Sequence, residues 1–167
     1  RFELPGGIHL AVNSNKKMKT VSVRLAFVTD LDEATVTRHS LLPMALRRGT
    51  RRLPDLQQLN RFLEGLYGAS LDAGVQKLGE WQVIRYRLDV VGDRFLPGGT
   101  HVLRDGLELA RELLIDPLVV DGGFHPEYLE QEKANLERLI DSLIDSKGAW
   151  AAQRLIDLKI LELPEVV

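Results

Sequence analysis

Cysteine is absent from the 167 residues, which excludes disulfides, thiolate nucleophiles and Cys-ligated zinc or iron–sulfur centres. Any metal must then be held by histidine and carboxylate side chains, and histidine is scarce. His9, His39, His101 and His125 lie far apart, and none has a second histidine three or four residues away, so a two-histidine zinc arrangement cannot be built within one helix turn. An excess of one charge is also missing: 22 Lys and Arg face 24 Asp and Glu for a net charge of -2. Such a balance gives no general attraction to nucleic acid or to an anionic membrane surface. No apolar run approaches the roughly 18 residues of a membrane-spanning helix. Arg1–Gly7 has neither the basic n-region nor the apolar h-region of a signal peptide, so the expected location is the cytoplasm. No Gly-x-Ser-x-Gly turn surrounds any serine, and the pairs Gly6-Gly7, Gly98-Gly99 and Gly122-Gly123 form no phosphate-binding or dinucleotide-binding loop.

With 44% hydrophobic and 28% charged residues, the chain has the means for a core and the composition of one globular domain. Thr20–Phe27 alternates Val21, Val23, Leu25 and Phe27 with smaller or polar residues, the period of a half-buried strand. A shorter strand, Ile8–Val12, is expected to pair with it as a hairpin across Asn13–Lys17. Leu31–Arg48 reads as a helix capped by Asp30 or Asp32 and interrupted by Pro43, which lacks an amide donor and clashes with the preceding turn. Pro54–Tyr67 places Leu56, Leu59, Leu63 and Leu66 on one stripe and stops at Gly68.

Ala69–Val75 and Trp81–Val91 are alternating strands joined by a turn at Lys77–Glu80. A helix from Thr100 to Ile115 through Leu103, Leu107, Ala110 and Leu114 ends before Pro117. A long helix begins at Pro126, uses Leu129, Leu136, Leu139, Ile140 and Leu143, and is expected to break near Gly148. Paired strands followed by paired helices, twice over, predict an α+β fold.

Local chemistry is sparse. His101 and Asp105 share a helix face at i,i+4 spacing, but one histidine and one carboxylate are fewer than the three protein ligands zinc requires. The dense basic patch is Arg47-Arg48-Gly49-Thr50-Arg51-Arg52, and the aromatics needed for base stacking are not interleaved with it. It reads as a solvated or partner-facing helix terminus, with contact to an acidic protein or to RNA as the alternative. Glu130, Glu132, Glu137 and Asp141 alternate with Lys133 and Arg138 on the long helix, as on a solvated face.

Three segments in order carry a resemblance: Ser40-Leu-Leu-Pro-Met-Ala-Leu-Arg-Arg-Gly-Thr50, then Leu59-x-x-x-Leu63-Glu-x-x-Tyr67-Gly-Ala-Ser-Leu-Asp-Ala73, then Glu130-Gln-Glu-Lys133. Together they resemble the N-terminal domain of the insulinase/pitrilysin-type metallopeptidases, in the divergent bacterial branch that lacks the zinc motif. The resemblance implies a LuxS/processing-peptidase-like domain, an antiparallel sheet with helices packed on one side, followed in a longer chain by a second similar domain. Active members carry His-x-x-Glu-His, two zinc ligands and a general base, on the helix before the Gly-Thr pair. Those positions are Ser40, Pro43 and Met44 here, and the third ligand position is Leu139, seven residues after Glu132.

No catalytic residue and no cofactor is therefore expected in this chain. Zinc is expected only in an active homologous subunit that pairs with it to enclose a peptide. In the family the substrate adds as a strand beside a sheet edge, which corresponds here to Asp72-Ala73-Gly74-Val75, a stretch that equally reads as an ordinary strand ending in a glycine. The alternatives left open are a zinc peptidase built from His39, His101 or His125 with distant carboxylates, and a binding module using the arginine cluster.

Overall fold

The computed structural model describes residues 1–145, 147–148 and 150–151. The tail 159–167 and the side chain of Leu143 lie outside the described part. Among the described residues, seven strands and four α-helices follow in the order β1 Phe2–Leu4, β2 Ile8–Leu10, β3 Thr20–Asp30, α1 Val36–Leu46, α2 Leu56–Gly65, β4 Ser70–Leu78, β5 Trp81–Val91, α3 Val102–Ile115, β6 Val119–Val120, β7 Gly123–Phe124 and α4 Pro126–Asp145. The main sheet is antiparallel, with β5 between β3 and β4. The fold is α+β, as the element pattern predicts.

Period-two patterning decides which face is dry. Val23, Leu88 and Leu71 stand in register across the three strands, as do Leu25, Tyr86 and Ala73, and then Phe27, Ile84 and Val75. The helices cover this face except at Phe27, which stays half exposed. Leu88 and Val90 meet Leu59, Leu63 and Leu66 from α2 and its C-terminal end, and Val102, Leu109 and Leu113 from α3. Ile84 and Tyr86 meet Leu46 of α1, with Leu42, Leu114 and Phe124 packed against them. Gly106 lets α3 approach closely, since a Cβ there would stand 3.1 Å from Leu88 Cδ2. The opposite face is polar and carries Arg24, Arg85, Arg87, Asp72 and Gln76.

The structure corrects two expectations. β2 pairs with β1, not with β3, through a turn at Pro5–Gly7 in which Gly6 and Gly7 adopt φ of 83° and 75°. Two consecutive left-handed residues suit a tight hairpin and are strain-free only for glycine. β3 instead pairs along its whole length with β5, an association that no local signal encodes. α1 begins at Val36, because Asp32 Oδ1 accepts from Ala34 N and turns the chain first, and it continues through Pro43 without interruption. Pro43 is fully buried, so packing stabilises the helix against the missing donor. The break expected near Gly148 falls beside residues 146 and 149, which lie outside the described residues.

Tyr86 is 3% exposed and its hydroxyl is buried without a hydrogen-bond partner. Burial pushes its pKa up to about 12. Below pH 10 both folded and unfolded chains keep the proton; between about 10 and 12 only the unfolded chain loses it, so stability falls over that window. Tyr86→Phe is expected to abolish this alkaline loss in urea titrations run from pH 8 to 11. At neutral pH it should leave stability unchanged or raise it by about 1 kcal/mol, since no bond is lost.

Candidate functional site

α1, the edge strand β4 and α4 enclose a cleft of about 490 Å3. Ser40, Pro43, Met44, Arg47 and Arg48 line it from α1 and its C-terminal end, Ala73, Gly74 and Val75 from β4, and Glu132, Leu136, Leu139 and Ile140 from α4. Thus Ser40, Pro43, Met44 and Leu139, separated by almost a hundred residues of chain, come to one place. Asp72 does not join them: it lies on the polar sheet face in register with Arg87. β4 continues through Gly74 to Leu78, so the glycine does not end the strand.

Each wall is fixed by polar contacts. Gln82 of β5, 2% exposed, donates through its amide nitrogen to Val36 O at 2.9 Å and to Ser40 Oγ at 3.1 Å, and its oxygen stands 3.1 Å from His39 Nδ1. Ser40 Oγ in turn donates to Val36 O at 2.8 Å. This network ties the first half of α1 to the sheet. At the other end, Arg48 Nε donates to Glu132 Oε1 at 2.5 Å, Asn135 donates to Glu132 Oε2 at 3.2 Å, and the Arg48 guanidinium lies over the Tyr128 ring. Glu132 is 8% exposed, so the solvated face expected for the charges of α4 does not hold at this position.

Gly49 and Thr50 set where the chain leaves α1. A Cβ on Gly49 would lie 2.6 Å from Leu53 O, and Thr50, fully buried, accepts from Leu53 N and forms a bridge to Pro117. The Gly-Thr pair is a close-packed corner that aims α1 into the cleft.

The donor set does not suit zinc. Ser40's hydroxyl is engaged in the Gln82 network, Pro43 and Leu139 offer no ligand atom, and the Met44 thioether is a soft, weak ligand. The histidines are not gathered elsewhere. His39 is tied to Gln82, His101 precedes α3, and His125 precedes α4 with its ring 4.7 Å from that of Tyr128. Among the described residues no three His, Asp or Glu side chains form a group able to hold a metal ion. No contact joins His101 to Asp105 beyond the helical bond from Asp105 N to His101 O.

The arginine cluster divides. Arg47 and Arg48 face the cleft, whereas Arg51 pairs with Asp116 and Arg52 pairs with Glu112 while covering the Phe62 ring. Sequence reasoning missed Gln82 and Glu132. Gln82 stands in the inward register of β5, between Glu80 and Ile84, and a polar residue on a dry face is the one signal that could have marked it.

No family model matches the chain. It is 35% identical over 151 residues, 90% of its length, to the probable inactive metalloprotease YmfF of Bacillus subtilis (strain 168). That likeness supports a metalloprotease-like character for the chain. It also superposes on a conserved protein of Enterococcus faecalis V583 known from its crystal structure, with a TM-score of 0.76 and 29% identity over 83% of the chain. The chain spans about a third of each relative: 35% of the Bacillus protein and 32% of the Enterococcus one. Among its described residues no helix is long and apolar enough to cross a membrane.

The Arg48–Glu132 pair makes a direct test of how the cleft is held. Arg48→Met leaves a buried carboxylate uncompensated and is expected to destabilise by about 3–5 kcal/mol in denaturant unfolding. The double variant Arg48→Met, Glu132→Leu should recover most of that loss, because no buried charge is left unpaired. Equal losses in the single and double variants would show that the pair does not couple α1 to α4.

Proposed function

We propose that this chain is a non-catalytic domain of the insulinase/pitrilysin type, with a LuxS/processing-peptidase-like fold. It works in the cytoplasm by completing a peptide-enclosing chamber with a zinc-bearing homologous subunit. The observation that carries the reading is the convergence of Ser40, Pro43, Met44 and Leu139 on one cleft beside the edge strand β4. Under the family resemblance these are the places of two histidines, the general base and the third ligand. The side chains there can neither activate water nor hold a metal, so the wall is kept while the chemistry is lost.

What survives suits binding. An edge strand has backbone donors and acceptors with no strand beside them, and a peptide laid along β4 would complete the ladder without its sequence being read closely. Ala73 and Gly74 present little bulk to an approaching backbone. Leu139 and Ile140, each more than half exposed, flank the same cleft and give an apolar surface for a peptide or a subunit to cover.

The test is reconstitution. The full-length protein is co-expressed with its nearest zinc-motif homologue, and complex formation and peptide cleavage are measured together. The reading expects a complex whose peptide cleavage is at least several-fold faster than that of the zinc-bearing partner alone, with zinc bound to the partner. No complex, together with equal cleavage in its absence, would overturn it. Stoichiometric zinc retained by this chain alone after dialysis, and lost on His39→Ala, would instead favour a peptidase of its own.

A further inference from the structure

We propose that the cleft selects extended peptides that carry a carboxylate and that Arg47 receives it; this rests on the reading of the cleft as a peptide groove. Of the four clustered arginines, three spend their charge within the fold: Arg48 on Glu132, Arg51 on Asp116 and Arg52 on Glu112. Arg47 has no carboxylate partner among the described residues, and its Nε is buried without any hydrogen-bond partner. Its side chain lines the cleft.

The charge balance of the cleft points the same way. Its ionised lining groups are Arg47, Arg48 and Glu132, and both oxygens of Glu132 are already engaged, one by Arg48 and one by Asn135. One guanidinium is therefore left over in a wall otherwise built from Pro43, Met44, Leu56, Leu136, Leu139 and Ile140. The C-terminal end of α1, where Arg47 is the capping residue, offsets only part of a unit charge. A partly desolvated guanidinium without an anion is costly, and its planar fork matches a carboxylate with two parallel N–H···O bonds. Beside the edge of β4, the ligand that meets both features is a peptide strand whose C-terminal carboxylate, or an Asp or Glu side chain, reaches Arg47.

A labelled octapeptide of Val, Ile and Thr serves as the probe, made as the free acid, as the C-terminal amide, and as the amide with one internal Glu. Binding to the 167-residue chain is followed by fluorescence anisotropy at low and moderate salt. The free acid or the Glu peptide is expected to bind about tenfold tighter than the plain amide, and whichever does so names the source of the carboxylate. In Arg47→Met all three should bind with the affinity of the plain amide, and Arg47→Lys should keep part of the preference. Because Arg47 has no ion partner to lose and its unpaired, partly desolvated charge is costly, the melting temperature of Arg47→Met should match or exceed the parent's, and its plain-amide binding reports whether the groove is intact.

Equal binding of the three peptides by the parent, or a preference that survives Arg47→Met, overturns the role of Arg47 and leaves the groove standing. Loss of plain-amide binding in Arg47→Met overturns it too, since Arg47 would then hold the groove itself together. No binding of any peptide by the parent overturns the groove reading and this inference with it.

Discussion

The Arg48–Glu132 contact closes the cleft on which everything else depends. It joins two helices 84 positions apart in the chain, and it does so with a short charge-assisted bond in a partly desolvated setting. Such a pair is weak evidence of net stability, because desolvation offsets much of the attraction. Its value is geometric: a guanidinium and a carboxylate in one fixed orientation leave α4 little freedom to slide along α1. With Gln82 holding the other half of α1 to β5, the distance between α1, β4 and α4 is set by polar contacts at both ends, with apolar lining between them.

That arrangement accounts for a site that keeps its shape while its one lining carboxylate, Glu132, is taken up by Arg48 and Asn135. Pro43 is the sharpest case. A proline inside a helix is costly, and here it is fully buried at the place where the resemblance puts a general base. Its pyrrolidine ring fills the wall and offers no proton acceptor. Met44 and Leu139 stand where the same resemblance puts zinc ligands, and they give the cleft apolar surface of the kind the proposed peptide-covering role would use.

Much of the fold was legible. β5 shows the period of two over eleven residues, and its bounds Trp81–Val91 are those read from the pattern; α2 declares its stripe of leucines, although it starts at Leu56 and ends at Gly65, inside the expected Pro54–Tyr67. What alternation cannot reveal is the partner. β3 shows the same period whether it pairs with β2 or with β5, and its choice of β5 is made by the packing of Leu25 and Phe27 with Tyr86 and Ile84, residues sixty positions away. The short strands β6 and β7 carry too few residues to show any period at all. In the site, the four positions on α1 and α4 came only from the family resemblance, counted from Gly49-Thr50 and Glu132. The arginine cluster was marked as partner-facing, but that Arg47 would be the one without an ion partner and Glu132 buried was not legible, because a charged residue on a helix looks the same in sequence whether it meets water, an ion partner or nothing.

The central claim is that Ser40, Pro43, Met44 and Leu139 occupy the geometry of a zinc site with its ligands replaced. Restoring the ligands measures this directly, using zinc content after exhaustive dialysis of the variant Ser40→His, Pro43→Glu, Met44→His, Leu139→Glu. The account predicts one equivalent of tightly held zinc in a folded variant; a variant that folds cooperatively and retains no zinc would contradict it.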